Sequence, residues 1–176
     1  MSLLYIVATP IGNLEDTSSR ALRILGEVDM IVCEDTRVTK KLLDRYHIHK
    51  PLISYHAHSP EKRILEIVDL LKDGKNLALV SDAGTPGIND PGGALVERVV
   101  RTCGDTVVIV PLPGPSTVAT VLSISGFPAE RFVYLGFSPH KKGREKFFRE
   151  VASRDETVVF LESPYRILKA LASLEA

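Results

Sequence analysis

The sequence predicts an α/β fold: a five-stranded parallel sheet with helices on both faces, followed by the start of a second α/β domain. Two observations lead to this prediction. Short apolar segments alternate with segments of helical periodicity along residues 1–126. The short segments are apolar throughout rather than at every second position, which is typical of parallel strands that are buried on both faces.

The predicted strands follow one another at regular intervals along this part of the chain. They are Leu3–Ala8, Asp29–Cys33, Leu52–Tyr55, Leu77–Val80 and Thr106–Leu112. The first one begins almost at the N-terminus, which lacks the basic start of a signal peptide.

The segments between the strands place apolar residues three or four positions apart, as a helix with one buried face does. The predicted helices cover residues 17–28, 36–46, 59–74, 90–104 and 115–125. The third begins at Ser59-Pro60 and the fourth at Asp90-Pro91, where a capping side chain and a proline at the first helical position mark a helix start. Glycines are expected to end both helices, Gly74 and Gly104.

The sequence pattern changes after Gly126. Two further strands, Phe132–Phe137 and Thr157–Glu162, and a helix over residues 163–174 are predicted there. This remainder of about 50 residues is too short for an independent core. We therefore predict two parts: an N-terminal domain over residues 1–126, and a linker with a partial second domain over residues 127–176. The apolar faces of the last two strands lack partners, so a homodimer is expected.

The overall composition is that of a globular protein, with 44% hydrophobic and 25% charged residues and a net charge of zero. A nucleic acid would therefore have to be held by a local basic patch. Cys33 and Cys103 lie in or beside apolar segments, which favours reduced, buried thiols and a cytoplasmic protein. No apolar run is long enough to span a membrane, so no membrane partner is expected.

Four unusual loops follow predicted strands: residues 8–13, 33–37, 81–92 and 111–116. The third is rich in glycine and proline and is longer than a plain strand-to-helix connection requires. The carboxyl ends of parallel strands meet at one edge of the sheet, where ligands of such folds bind. The sequence therefore predicts a ligand site at this edge.

Several kinds of site are disfavoured. The first loop contains only Gly12 where a dinucleotide fingerprint requires three glycines, and no Walker A lysine motif is present, although Asp35 could still contact a ribose hydroxyl. No GxSxG nucleophile motif is present. The pairs His47/His49 and His56/His58 lack cysteine or carboxylate companions, so no metal site is expected.

The charged and polar residues of the loops have different expected roles. Asp82 lies two residues past the fourth strand and far from a helix start, so its carboxylate suits a cationic or amino-bearing ligand. Asp90 is expected to cap the following helix. Ser116 opens a helix, where its hydroxyl could cap the helix or contact a ligand; the sequence leaves both roles open.

One local basic patch is present, at residues 140–149. Five basic residues and one glutamate give this segment a net charge of +4: Lys141, Lys142, Arg144, Glu145, Lys146 and Arg149. A nucleic-acid surface is one interpretation. A solvated helix whose phenylalanines, Phe147 and Phe148, pack on the second domain is the other.

Four motifs together resemble a known family. VATPIGNLEDTSSRALRILGEVDMIVCEDTR, SDAGTPGINDPG, PLPGPS and FLESPYR occur in this order over nearly the whole chain. They are similar to the tetrapyrrole methylase superfamily and, within it, to the ribosomal RNA small subunit methyltransferase I family. The resemblance implies a two-domain α/β protein that binds S-adenosylmethionine between its domains. It further implies methylation of the 2′-hydroxyl of a cytidine in small-subunit rRNA.

The resemblance also implies a cofactor site. The matching positions are Pro10, Asp82, Ala83, Gly84, Ile88, Pro113, Gly114 and Ser116. Ser81 and Ala83 stand where tetrapyrrole-acting members have glycine and proline, which argues against a porphyrinoid substrate. Members of the family continue through the second domain beyond residue 176, so the present chain could have little activity of its own.

The catalytic group is not identified by the resemblance. Asp35 and His56 are candidate general bases, and Arg37 could hold a phosphate or pair with Glu34. Lys141, Lys142, Arg144 and Arg166 are candidate RNA contacts. Two alternatives to an rRNA methyltransferase stay open: a methylase of a tetrapyrrole precursor, and a non-catalytic module that binds the cofactor or dimerises.

Overall fold

The computed structural model describes residues 1–175, which divide into two compact units, Met1–Thr117 and the part from Val118 onward. The first unit contains five strands and four helices. In chain order these are β1 (Ser2–Val7), α1 (Ser19–Glu27), β2 (Met30–Cys33), α2 (Thr36–Arg45), β3 (Leu52–Ser54), α3 (Glu61–Lys72), β4 (Leu77–Val80), α4 (Gly92–Cys103) and β5 (Val107–Leu112). Helix α5 (Thr117–Ser125) begins at the boundary between the units.

The five strands form one parallel sheet in the order β3-β2-β4-β1-β5. Leu4 of β1 lies between Leu77 of β4 and Ile109 of β5. The predicted five-stranded parallel sheet is thus confirmed, and each predicted strand matches its observed counterpart to within one residue at either end. The central strands β1 and β4 place the loops that follow them side by side at the carboxyl edge.

Each face of the sheet is covered by its own apolar layer. Helices α3 and α4 bury Ile67, Leu71 and Leu95 against one face. Helices α1 and α2 bury Leu25 and Leu43 against the other. All four residues of β4 are buried, since this strand lies between two neighbours and beneath both layers. Cys33 and Cys103 are both free thiols in the interior.

One of the two helix starts marked by proline differs from the prediction. Ser59 does not cap α3, because its hydroxyl accepts a hydrogen bond from the His56 N–H at 2.9 Å instead. Asp90 does hold the start of α4: its Oδ1 accepts from Gly92 N at 2.7 Å and from Gly87 N at 2.8 Å. The same carboxylate therefore satisfies the first helical N–H and fixes the loop that precedes the helix.

The second unit contains a parallel pair of strands, β6 (Phe132–Phe137) and β7 (Thr157–Leu161), with helices α6 (Arg144–Ala152) and α7 (Ile167–Glu175). The rings of Phe147, Phe148 and Phe160 meet edge to face, with centroids 5.4–5.9 Å apart. Of the two interpretations of the basic segment, the one in which Phe147 and Phe148 pack within the second unit is thus supported by these ring contacts.

Candidate functional site

The loops after β1 and β4 are joined by backbone hydrogen bonds. Thr9 N donates to Gly84 O at 2.9 Å, and Gly84 N donates to Thr9 O at 3.0 Å. The Thr9 hydroxyl adds a bond to Ser81 O at 2.9 Å. Because the two strands are neighbours in the sheet, this antiparallel bridge lies just beyond the sheet edge and fixes both loops.

Gly84 has a backbone conformation that favours glycine over other residues. Its φ is +84°, a region that side chains rarely adopt. The Ser81 hydroxyl donates to Gly84 O at 3.0 Å and closes the turn from inside. The loop after β4 thus returns to the end of β1 through Gly84, and any other residue at this position would strain the backbone.

The loop after β5 approaches the end of β1 very closely. A Cβ added to Gly114 would lie 2.8 Å from the Ala8 Cβ, closer than side-chain atoms ordinarily come. Thr85 ties the same loop to the β4 loop, since its hydroxyl donates to Pro115 O at 3.2 Å. Pro10 is buried beside these contacts. Three of the four predicted loops therefore form one surface around glycine backbone.

The fourth loop, after β2, is connected through a carboxylate. Asp82 Oδ1 accepts a hydrogen bond from the backbone N–H of Asp35 at 3.0 Å. Strands β2 and β4 are neighbours, so their loops meet at the edge of the sheet. The side chain of Asp82 is otherwise exposed, which leaves carboxylate surface available to a ligand.

The carboxylate of Asp35 makes its contacts within the first turn of α2. Its carboxylate accepts from Arg37 N at 2.8 Å and forms an ion pair with the Arg37 guanidinium at 2.5 Å. These hydrogen bonds hold the pKa of Asp35 at about 2. The expectation that Arg37 could pair with Glu34 is corrected by this geometry, because the arginine turns back to the residue that caps its helix.

Other predicted residues have different surroundings. His56 is exposed, and its Nδ1 accepts from His58 N at 3.2 Å. Ile88 is 55% exposed at the outer end of the β4 loop. Ala83 and Pro113 are also exposed, and Ser116 is partly buried directly before α5. Within residues 1–175, no group of three or more His, Cys, Asp or Glu side chains is placed to hold a metal ion.

Two residues that the sequence analysis did not select belong to this edge. Thr9 makes the bridge to Gly84, and Glu34 follows β2 directly before Asp35. Burial, together with the charges of Asp82 and Asp90, raises the pKa of the Glu34 carboxyl. Position alone could have drawn attention to both residues, because each stands within two positions of a strand end.

The basic segment of the second unit divides into exposed and buried residues. Lys141 and Lys142 are exposed. Arg144 is only 8% exposed, and its guanidinium pairs with Glu162 at 2.9 Å. The expectation that Arg144 belongs to an exposed RNA surface is therefore corrected. Arg166 pairs with the other oxygen of Glu162 at 2.5 Å and retains partial exposure.

The Glu162 carboxylate is the centre of this buried network. Its side chain is 1% exposed, and it accepts further hydrogen bonds from the Ser138 hydroxyl and the Ser163 N–H. Burial alone would raise the pKa of Glu162, but the hydrogen bonds from Ser138, Arg144 and Ser163 outweigh it and lower the pKa to about 2. The glutamate is thus kept ionised between two guanidinium groups.

Comparisons with known proteins identify the family of this chain and its fold. The family model of the Tetrapyrrole (Corrin/Porphyrin) Methylases matches residues 3–176. Ribosomal RNA small subunit methyltransferase I of Thermotoga maritima is 48% identical over 174 residues, which cover 99% of this chain and 77% of that protein. The proteins of the same name from Synechocystis and Bacillus subtilis are 43% and 45% identical. The match covers 99% of this chain in both cases, but only 62% and 59% of those proteins.

Solved structures share the fold at low sequence identity. Diphthine synthase has a TM-score of 0.71 at 16% identity, with 98% of this chain and 72% of that chain covered. Uroporphyrin-III-C-methyltransferase from Thermus thermophilus has a TM-score of 0.55 at 19% identity, with 78% and 60% covered. No helix among residues 1–175 has the length and apolar character needed to cross a membrane. By its sequence matches, this chain belongs to the tetrapyrrole methylase family and, within it, to the ribosomal RNA small subunit methyltransferase I family.

Proposed function

We propose that this chain carries the cofactor site and part of the RNA-binding domain of an S-adenosylmethionine-dependent methyltransferase. Its substrate is the 2′-hydroxyl of a cytidine in small-subunit rRNA. The observation that supports this most directly is the Thr9–Gly84 bridge, which joins the two central loops of a chain in this family. The bridge makes one continuous edge out of the segments that match the family motifs.

The edge suits a cofactor that carries a sulfonium, an ammonium and a carboxylate but no phosphate. The charges of Asp82 and Asp90 act on the neighbouring Glu34 carboxyl, so negative charge is concentrated at this edge and a cationic ligand is favoured. At Gly114 a side chain would fill the space against Ala8. Glycine at this position therefore lets the loops after β1 and β5 pack closely, which brings their backbone groups together at this edge.

We assign the cofactor contacts to the loops that the bridge gathers. The residues that would hold the cofactor are Pro10, Asp82, Ala83, Gly84, Ile88, Pro113, Gly114 and Ser116. When bound, the cofactor supplies an electrophilic methyl group. The chain contributes by positioning the two reactants, which is a major source of acceleration in such transfers.

We assign RNA contacts to the second unit. Lys141, Lys142, Lys146 and Arg149 are exposed. A groove of about 690 Å³ lies among α6 and α7 and is lined in part by Lys141, Arg149 and Leu174. Basic side chains beside apolar surface suit the phosphates and bases of single-stranded RNA. Arg144 acts inside the unit, and the Arg166 guanidinium is paired with Glu162 while part of its side chain stays exposed.

Transfer of a tritiated methyl group tests the proposal. The protein is incubated with labelled S-adenosylmethionine and either small ribosomal subunits that lack the modification or a tetrapyrrole precursor. Label in rRNA that resists alkaline hydrolysis at one cytidine is the expected result. Label in the tetrapyrrole would instead favour the alternative substrate class. Bound cofactor without transfer to either acceptor would identify a non-catalytic module.

A further inference from the structure

Glu34 occupies a distinctive place at the carboxyl edge of the sheet. It directly follows β2, and its side chain is partly buried. It lines a small cavity together with Tyr55, Ser81 and Asp90. The cavity lies beside the β4 loop, in which Asp82 directly follows the lining residue Ser81. Glu34 therefore reaches the same edge as the proposed cofactor contacts.

The contacts of the Glu34 carboxylate distinguish it from the other candidate bases. Among the described residues, it has neither a hydrogen-bond partner nor an ion-pair partner. The two candidate bases named from sequence differ in this respect. The carboxylate of Asp35 is held by Arg37, whose hydrogen bonds lower the pKa of Asp35 to about 2. His56 uses its Nδ1 within its own loop. Of these three groups, Glu34 alone is both carboxylate and free.

The protonated form of the Glu34 carboxyl is favoured more at this site than it would be in bulk water. Burial raises the pKa of its carboxyl, and the charges of Asp82 and Asp90 raise it further. His56 acts in the opposite direction. Other ionisable groups nearby are Cys33 and Asp35, beside it in the chain, and Tyr55, in the cavity. A carboxylate whose pKa moves toward neutral accepts a proton more readily during a reaction.

We propose that Glu34 is the general base that accepts the hydroxyl proton of the RNA ribose during methyl transfer. This inference rests on the proposed function. The ribose 2′-oxygen forms a bond to the methyl carbon, and the methyl–sulfur bond breaks with its electron pair left on sulfur. The hydroxyl proton passes to the Glu34 carboxylate and is later released to water. The products are a 2′-O-methylated ribose, S-adenosylhomocysteine and a proton.

The test is single-turnover methyl transfer to unmodified small ribosomal subunits by the intact protein, measured as a function of pH. In the wild-type protein the rate should fall as the pH drops through the pKa of Glu34, because the protonated carboxyl cannot accept a proton. Glu34→Gln should lower the rate by about 10²- to 10⁴-fold, the usual contribution of a general base, and should remove this inflection. Glu34→Asp should restore part of the rate and the inflection.

The controls separate catalysis from folding and binding. Glu27→Gln alters an exposed carboxylate on α1 and should leave the rate and its pH dependence unchanged. The affinity of Glu34→Gln for S-adenosylmethionine, measured by calorimetry, should stay within a few-fold of the wild type, because Asp82 and Asp90 still supply negative charge at this edge. A Glu34→Gln rate within a few-fold of wild type, or a lower rate with the inflection retained, would overturn the role of Glu34. If the wild-type protein itself transfers no methyl group to RNA, the proposed function fails first.

Discussion

Asp82 accepts a hydrogen bond from the backbone N–H of Asp35 at 3.0 Å, although the two residues are 47 positions apart in the chain. The bond links the loops after β2 and β4, and it turns the Asp82 carboxylate toward the edge where the other loops meet. The same side chain is the proposed partner for the cationic part of the cofactor. Asp82 therefore combines a structural bond with a ligand-binding charge, and substitutions can separate the two.

Asp82→Ala should weaken binding of S-adenosylmethionine by about 10- to 100-fold, because a charged hydrogen-bond partner is lost. Asp82→Asn keeps an acceptor for Asp35 N but removes the charge, so it should lose most of the affinity with less effect on folding. Isothermal calorimetry provides the measurement. Asp105→Ala, an exposed aspartate before β5, is the matched control. An affinity unchanged in both Asp82 variants would remove this residue from the site.

Gly114→Ala should destabilise the loop after β5. The added Cβ would lie 2.8 Å from the Ala8 Cβ, and overpacking of this kind costs about 1–3 kcal/mol. Cofactor binding should weaken in parallel, because the two loops must separate. Gly26→Ala is the control, since a Cβ there meets nothing within 4 Å and lies in a helix, where alanine is favoured. Thermal unfolding measures the stability of both variants. If Gly114→Ala is as stable as Gly26→Ala, the contact with Ala8 relaxes without cost and the prediction is wrong.

Glu162→Gln should destabilise the second unit by about 3–5 kcal/mol, because the buried Arg144 guanidinium and the partly buried Arg166 guanidinium would lose their shared counter-charge. The pKa of Glu162 is lowered from 4.5 to about 2, so its contribution is present above pH 4.5 and is lost as the pH falls toward 2. The variant should therefore lose less stability than the wild type between these two pH values. Glu130→Gln, on an exposed residue, serves as comparison in chemical denaturation. Identical acid limbs in all three proteins would contradict the role of this network.

Replacing Lys141, Lys142 and Lys146 with alanine should flatten the salt dependence of binding to the small ribosomal subunit. Each phosphate contact with single-stranded RNA contributes about −0.7 to the slope of log affinity against log salt, so three contacts contribute about two units. Arg144 is left intact, because it is buried. The control replaces Lys41, Lys62 and Lys72, three exposed lysines of the first unit. Parallel salt plots for the wild type and both triple variants would show that the basic segment does not contact RNA.

The protein should form a homodimer, because large apolar side chains of the second unit are exposed. Tyr165 is 98% exposed and Leu168 79% exposed. Apolar surface of this kind is usually covered by a partner. Light scattering over a range of concentrations measures the assembly, and Leu168→Glu should shift it toward monomer. A monodisperse monomer of the wild type at high concentration would contradict this prediction.

The sequence predicted the five strands to within a residue because burial on both faces leaves a local record, a run of apolar side chains such as Leu77–Val80. It did not predict the strand order. Leu4 lies between Leu77 and Ile109, and no local pattern indicates which distant strand will pair with which. The helix starts were predicted in part. Asp90 holds the start of α4 as expected, whereas the Ser59 hydroxyl accepts a hydrogen bond from the His56 N–H and does not cap α3.

The sequence by itself determined the family and the segments that meet at the edge of the sheet, because long motifs and strand ends are properties of consecutive residues. Only the tertiary structure decided what each charge contacts. It paired Arg37 with Asp35 and buried Arg144 against Glu162, and within residues 1–175 it gave the Glu34 carboxylate no hydrogen-bond or ion-pair partner. The physical reason is that the energy of a charge depends on its burial and its nearest partner, and packing between residues distant in the chain sets both.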